Sequence, residues 1–192
     1  MDEEGDNCLY CNILTTNTMN YQPGGIPICK KCQQEKLKEE TEDELRRIKL
    51  LSEIDQITDN IYLGDQYGAK NLKELKDLNI THVLICGSDL VAHFPNDFIY
   101  KKIDVDDYSG DDIHQHFNDT FDFIDKANKV FVHCKAGVSR SATIVIAYIM
   151  KKFGKRFEEA YKMVKDKRMK ICPNTGFEGQ LRMYDIELFG YC

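Results

Sequence analysis

Cys134 and Arg140 are separated by five residues, at a point where a predicted strand gives way to a predicted helix. The apolar run 130–132 ends just before them, and apolar residues recur at helical spacing from residue 141 onward. A loop over 134–140 followed by a helix N-terminus can cradle an oxyanion with inward backbone N–H groups. The guanidinium of Arg140 can bind two phosphate oxygens, and the same positive environment favours the nucleophilic thiolate of Cys134. The spacing predicts a nucleophile and a clamp that act on one phosphate.

The nine residues from His133 to Ser141 resemble the signature of the cysteine-dependent protein tyrosine phosphatases. The continuation Ser141-Ala142-Thr143 resembles the dual-specificity branch of that superfamily. The resemblance extends over residues 52–188, and the cysteine-rich segment before it has no counterpart in the minimal family domain. Other positions that match the family pattern are 60–64, 80–84, Arg168, Pro173, Asn174, Phe177, Gln180 and Leu181.

The resemblance implies a reaction through a phosphocysteine intermediate and a role for each matching residue. Cys134 attacks phosphorus, while Arg140 and the loop amides stabilise the charge on the phosphoryl oxygens. Ser141 donates a hydrogen bond to the departing sulfur, with a simple helix cap as its alternative role, and His133 orders the loop and tunes the thiolate. Catalysis then needs no metal cofactor. The phosphate-binding positions predicted in this way are Lys135, Ala136, Gly137, Val138, Ser139 and Arg140.

The leaving oxygen needs a proton, and an acidic loop follows the predicted strand 98–103. A general acid typically contributes about 10²–10⁴ in rate. The family pattern places this acid a few residues after the strand and before a polar residue, which selects Asp107, with Asp106 as the alternative. For the other aspartates of the loop a solvated acidic surface is the simpler interpretation. The candidates are Asp104, Asp106, Asp107, Asp111 and Asp112.

Lys135 bears on the substrate class. Cys-Lys-Ala-Gly also begins the corresponding loop of phosphoinositide phosphatases in the superfamily, but these typically carry a second lysine where this chain has Val138. We therefore predict a protein phosphatase that hydrolyses phosphotyrosine and phosphoserine or phosphothreonine, with phosphorylated protein as its partner. The alternatives are a phosphoinositide phosphatase and a phosphate-binding reader with little turnover.

Two Cys-x2-Cys pairs precede the phosphatase-like segment. Cys8 and Cys11 form the first pair, Cys29 and Cys32 the second, and seventeen residues separate the pairs. This spacing is typical of a four-cysteine zinc site, which is structural because protein ligands fill every position. A segment as short as 8–32 cannot bury a stable core alone, so the metal would supply its folding free energy. An iron–sulfur cluster, redox-active thiols and unliganded cysteines are the alternatives.

The predicted elements divide the chain into four segments. Residues 1–7 are expected to be a disordered acidic tail, 8–32 a zinc knuckle, 33–53 a charged linker helix and 54–190 the catalytic domain. Strands alternate with helices in the last segment. That order predicts an α/β fold, with a mostly parallel central sheet flanked by helices on both faces.

Composition limits the expected partners and compartment. The net charge of −6 and pI near 5.4 argue against nucleic-acid binding, and no apolar run reaches the length of a membrane span. Catalytic and zinc-binding thiols favour a reducing compartment, so we expect a cytoplasmic protein, with nuclear residence also open. Arg46 and Arg47 loosely resemble the docking motif of MAP-kinase partners, although a solvated helix face is the simpler interpretation.

Cys86 ends a predicted strand expected to lie beside the run before Cys134. In some relatives a cysteine at this place captures the oxidised nucleophile as a disulfide. An accessible thiolate is the form that oxidises to sulfenic acid. The alternative is a buried cysteine that serves only as a small hydrophobic residue.

Overall fold

The computed structural model describes residues 19–22 and 26–191, and side chains from residue 30 onward. The chain forms two compact units, with the boundary between Leu50 and Leu51. The predicted acidic tail 1–7 and the cysteines Cys8 and Cys11 lie outside the described residues.

The first unit contains an antiparallel hairpin and a long helix. Strand β1 (Met19–Gln22) pairs with β2 (Ile26–Cys29), and helix α1 (Lys30–Leu51) follows directly. The helix begins three residues before the predicted linker helix, so Cys32 lies in its first turn. None of the described helices is long and apolar enough to cross a membrane.

Charged residues along α1 pair with one another at helical spacing. Arg46 lies 4.0 Å from Glu42 and 3.5 Å from Asp43, with all three side chains mostly exposed. Such surface pairs contribute little to stability and are typical of a solvated helix face. The contacts support the solvated-face interpretation of this segment, and kinase docking stays a prediction.

The second unit is built around a five-stranded sheet in the order β3-β4-β7-β5-β6. The four strands from β4 to β6 run parallel, and β3 pairs antiparallel with β4 at one edge. The sheet is therefore mixed, with an edge strand that the sequence pattern did not predict. Its strands are β3 (Ile54–Gln56), β4 (Ile61–Gly64), β5 (His82–Cys86), β6 (Ile99–Ile103) and β7 (Val130–His133).

Helices cover both faces of this sheet, because alternate residues of each buried strand are apolar on both sides. Leu63 and Val132 pack in one core with α3 to α6, whereas Tyr62 and Phe131 pack in another with α2. The α/β architecture predicted from the sequence is thus present. The helices are α2 (Leu72–Asp77), α3 (Phe117–Lys126), α4 (Arg140–Phe153), α5 (Phe157–Lys167) and α6 (Thr175–Phe189).

Helix α4 is the most deeply buried helix of the second unit. Its first eleven residues, 140–150, are all buried, and full burial of a side chain such as Ile146 contributes about 1.5–3 kcal/mol. Gly154 ends the helix in the left-handed conformation. The helix begins at Arg140, one residue earlier than predicted, so the loop from β7 covers 134–139. This core fixes the loop at the carboxyl edge of the sheet.

Candidate active site

The loop over 134–139 turns its carbonyl oxygens outward. Each carbonyl from residue 135 to residue 139 accepts a hydrogen bond from a donor outside the loop. The donors are, in order, Gln66 N (3.2 Å), Arg168 Nη2 (3.5 Å), Arg168 Nε (2.8 Å), Cys172 N (2.9 Å) and Thr143 N (2.9 Å). The peptide bonds of the loop are trans, so each N–H points opposite to the carbonyl of the same peptide. The N–H groups of residues 136–140 therefore face inward, as an oxyanion cradle requires.

The sulfur of Cys134 accepts two hydrogen bonds within this cradle. The N–H of Gly137 and the hydroxyl of Ser141 both donate to Sγ at 3.2 Å. Gly137 has a φ of +64°, and a Cβ there would lie 2.4 Å from the carbonyl oxygen of Gly64. Only glycine fits this position, which brings its N–H to the sulfur. Both donors favour the thiolate, the form that attacks phosphorus.

Arg140 is buried at the start of α4, and one N–H of its guanidinium is available to bind an anion. Its Nη1 lies 3.4 Å from the carbonyl of Val105 and 3.5 Å from Oδ1 of Asp89. Its Nε has no hydrogen-bond partner among the described residues, although it is buried. A buried N–H without a partner is costly, and a phosphate oxygen would satisfy it. Asp89 was not predicted from the sequence. Its position three residues after β5, at the carboxyl edge of the sheet, could have indicated that it lies near the site.

Asp107 lies against the phosphate-binding loop, and Asp106 does not. Oδ1 of Asp107 accepts from Ser139 Oγ at 2.7 Å, and Oδ2 lies 3.9 Å from Nε of Arg140. Asp106 instead accepts a hydrogen bond from the hydroxyl of Ser88. Of the two candidates for the general acid, the geometry favours Asp107.

His133 is 1% exposed and stacks on Phe131, with ring centroids 5.4 Å apart. Its Nδ1 lies 3.4 Å from the carbonyl oxygen of Cys134, and its Nε2 has no partner among the described residues. Burial lowers the pKa of His133 to about 4, so the ring is neutral at physiological pH. A neutral, enclosed imidazole suits the predicted role in ordering the loop.

Cys86 is fully buried at the end of β5 and belongs to the same apolar core as Cys134. Strand β5 pairs with β7 up to Ile85 opposite His133, which places the two cysteines next in register on neighbouring strands. Burial raises the pKa of the Cys86 thiol well above its usual value, and the charge of a Cys134 thiolate raises it further.

The second cysteine pair lies at the junction of β2 and α1. Cys29 ends the strand and Cys32 lies in the first turn of the helix, whereas Cys8 and Cys11 lie outside the described residues. Within residues 30–191, no group of three or more His, Cys, Asp or Glu could hold a metal ion. The four-cysteine zinc site stays a prediction.

A comparison with protein-family models decides the family. The catalytic domain of dual specificity phosphatases matches residues 61–187. The chain belongs to the dual specificity phosphatase family. The matched region includes the whole loop, Asp107 and Arg168, and the segment before β4, with both cysteine pairs, lies outside it.

Named relatives agree with this family. The chain is 42% identical over 144 residues to dual specificity protein phosphatase 1B of Arabidopsis thaliana, covering 73% of this chain and 84% of that protein. It is 40% identical over 161 residues to protein phosphatase Slingshot homolog 1 of Homo sapiens, covering 80% of this chain but only 15% of that protein. The chain therefore corresponds to a small part of the Slingshot relative.

Solved structures share the fold of this chain. The crystal structure of human tyrosine phosphatase-like serine/threonine/tyrosine-interacting protein matches with a TM-score of 0.67 and 34% identity. The match covers 70% of this chain and 96% of that one. The remaining 30% of this chain has no counterpart in that structure.

Proposed function

We propose that this protein is a dual-specificity phosphatase that hydrolyses phosphotyrosine and phosphoserine or phosphothreonine in proteins. A single observation carries the proposal: the sulfur of Cys134 lies inside a loop whose N–H groups face inward, and the buried Nε of Arg140, at the end of that loop, has no hydrogen-bond partner among the described residues. This arrangement supports in-line attack on a phosphate monoester. A site that only bound phosphate would not need Asp107 against the loop.

In the first step, the thiolate of Cys134 forms a bond to phosphorus while the bond to the substrate oxygen breaks. Inward amides and the guanidinium of Arg140 stabilise the charge on the three remaining phosphoryl oxygens. Asp107, in its protonated form, gives its proton to the leaving oxygen. The dephosphorylated protein leaves, and the phosphoryl group stays on sulfur.

In the second step, water attacks the phosphocysteine and the sulfur leaves as a thiolate. Asp107 is ionised after the first step, so it can now act as a general base and take the proton from the attacking water. The hydroxyl of Ser141, 3.2 Å from Sγ, stabilises the negative charge that returns to the sulfur. Inorganic phosphate is released. Cys134 is again a thiolate and Asp107 is again protonated, so the site is ready for the next substrate.

Phosphate release from two substrate panels tests the proposal. Phosphopeptides carrying Tyr, Thr or Ser and a set of phosphoinositides are incubated with the full chain, with Cys134→Ser as the blank. Cys172→Ser is the matched control, because Cys172 is exposed. Release from Tyr and Thr peptides that disappears only in Cys134→Ser supports the proposal.

The opposite results are equally clear. Release mainly from lipids would assign specificity to the exposed Lys135 and overturn the substrate class. No release from either panel by a folded, reduced protein would favour a phosphate-binding reader.

We also propose that Cys8, Cys11, Cys29 and Cys32 bind one structural zinc ion. The spacing of the pairs supports this, as does the strand-to-helix junction, which has Cys29 at the end of β2 and Cys32 in the first turn of α1. Metal analysis of the purified protein should give about one zinc per chain. Substitution of Cys32 by Ser should abolish the bound zinc but leave hydrolysis of a small aryl phosphate, and retained zinc would contradict the proposal.

A further inference from the structure

Among the described residues, Arg168 is the one whose side chain donates hydrogen bonds to two successive carbonyl groups of the loop. Its side chain is 1% exposed, at the end of α5, where the backbone becomes extended. Nε donates to the carbonyl oxygen of Gly137 at 2.8 Å, and Nη2 lies 3.5 Å from that of Ala136. The residue therefore contacts the back of the cradle rather than its opening.

These two contacts act on the peptides that present N–H groups to the phosphate. The carbonyl of Ala136 and the N–H of Gly137 belong to one peptide group, and that N–H donates to Sγ of Cys134. The carbonyl of Gly137 likewise shares a peptide with the N–H of Val138. A cation on a carbonyl oxygen fixes the plane of the peptide and strengthens its N–H as a donor. Arg168 thus influences the sulfur through one peptide group without touching it.

The other side of the guanidinium is held by the edge strand region. Nη1 donates to Asp55, within β3, and Nη2 lies 3.5 Å from Glu53. Lys170 also pairs with Glu53, and its hydrogen bond lowers the pKa of that carboxyl, which therefore stays ionised. A buried guanidinium needs such partners, because an unpaired buried charge is strongly destabilising. Strand β3 is itself fixed by pairing with β4, where Asp55 lies opposite Leu63.

We propose that Arg168, anchored by Asp55 and Glu53, is a positioning residue that orients two consecutive loop amides toward the phosphate. The inference rests on the proposed function. It adds that the orientation of the loop amides depends on contacts with the edge strand β3. Only the planar fork of arginine can reach two carbonyls and two carboxylates together, so lysine cannot replace it. The residue acts through the loop and does not itself take part in bond making.

Two variants test the role with a matched control. Arg168→Lys keeps the charge but loses the fork, and Asp55→Asn keeps Arg168 but weakens its anchor. Arg182→Lys is the control, since the half-exposed Arg182 of α6 pairs with Glu178 of the same helix and with Glu158 of α5. Both test variants should lose about tenfold to hundredfold in kcat/KM for p-nitrophenyl phosphate, less than the 10²–10³ lost with a direct oxyanion donor. The control should keep wild-type values.

A second measurement separates positioning from a structural role. The rate at which iodoacetamide alkylates Cys134 is followed against pH by mass spectrometry, in native protein. Because the Gly137 N–H would be a weaker donor, the thiolate should form at higher pH in both variants, so the profile shifts upward. A purely structural role would lower the melting temperature and leave this profile unchanged.

Each outcome decides the inference. Alkylation profiles of folded Arg168→Lys and Asp55→Asn that coincide with the wild type would overturn it. If Arg168→Lys does not fold, Asp55→Asn decides alone, because Asp55 is partly exposed and its substitution leaves the buried arginine in place. If the wild type releases no phosphate from any substrate, the proposed function fails, but the alkylation profiles still test the positioning role.

Discussion

The hydroxyl of Ser139 donates to Oδ1 of Asp107 at 2.7 Å and accepts from the backbone N–H of Asn174 at 3.1 Å. The side-chain amide of Asn174 also donates to Oδ1 of Asp107, at 2.9 Å, while its oxygen caps α6 by accepting from Phe177 N. The acidic loop, the phosphate-binding loop and the start of α6 therefore meet at one carboxylate. This junction holds Asp107 beside the cradle before substrate arrives.

Asp107→Asn should lower kcat for a phosphotyrosine or phosphothreonine peptide by about 10²–10⁴, because the leaving oxygen then has no proton donor. The loss should be much smaller for an aryl phosphate with an acidic leaving group, which departs without protonation. Asp106→Asn is the matched control, since Asp106 contacts Ser88 instead of the loop, and its kcat should stay near the wild-type value. Equal losses in the two variants would contradict the assignment.

Ser141→Ala should slow the breakdown of the phosphocysteine more than its formation, because the hydroxyl stabilises the departing thiolate. Rapid-quench measurements with p-nitrophenyl phosphate should show a burst of p-nitrophenol followed by a steady rate lowered about tenfold or more. Ser109→Ala, at an exposed serine, is the control. The helix-cap alternative for Ser141 is wrong, because α4 begins at Arg140 and its N-cap position is Ser139. If Ser141→Ala lowers the melting temperature without any burst, the hydroxyl stabilises the fold and does not assist the departing sulfur.

Local features of this site were predictable, whereas contacts between distant segments were not. The strand, loop and helix around Cys134 follow from apolar spacing within twenty residues, and Asn174, the N-cap of α6, is of a residue type typical of that position. Strand β3 was missed because three partly exposed residues carry no clear alternation, and its pairing with β4 is a tertiary effect. Arg168 matched a family pattern, but its contact with Asp55, 113 residues away, has no local signal in the sequence.

Stability should fall in mild acid because His133 is buried without its charge. Burial lowers its pKa to about 4, with a smaller effect from His93 in the same direction and an opposing one from the carbonyl of Cys134. The unfolded chain, with an ordinary histidine pKa near 6.5, binds a proton between these values while the folded chain does not. The free energy of unfolding therefore decreases as pH falls from about 6.5 to about 4.

Urea unfolding of the wild type and of His133→Gln tests this effect. Between about pH 7.5 and about pH 5, the wild type should lose about 2 kcal/mol more than the variant, since glutamine does not titrate. Only the difference between the two proteins is informative, because carboxyl groups titrate in both. Parallel pH profiles for the two proteins would show that His133 does not carry this dependence.

Peroxide should convert Cys134 to a disulfide with Cys86. One equivalent of hydrogen peroxide oxidises the Cys134 thiolate to sulfenic acid, and the Cys86 thiol then displaces water to form the sulfur–sulfur bond. Burial raises the pKa of Cys86, so few thiolates exist near neutral pH and the second step should be faster at higher pH. Mass spectrometry should find a peptide linked through Cys86 and Cys134, and a thiol reductant should restore activity.

In Cys86→Ser the sulfur of Cys134 should instead be oxidised further to the sulfinic acid, and the enzyme should stay inactive. Cys172→Ser, at an exposed cysteine, should behave as the wild type. Without the linked peptide in oxidised wild type, Cys86 is a buried hydrophobic residue and no more.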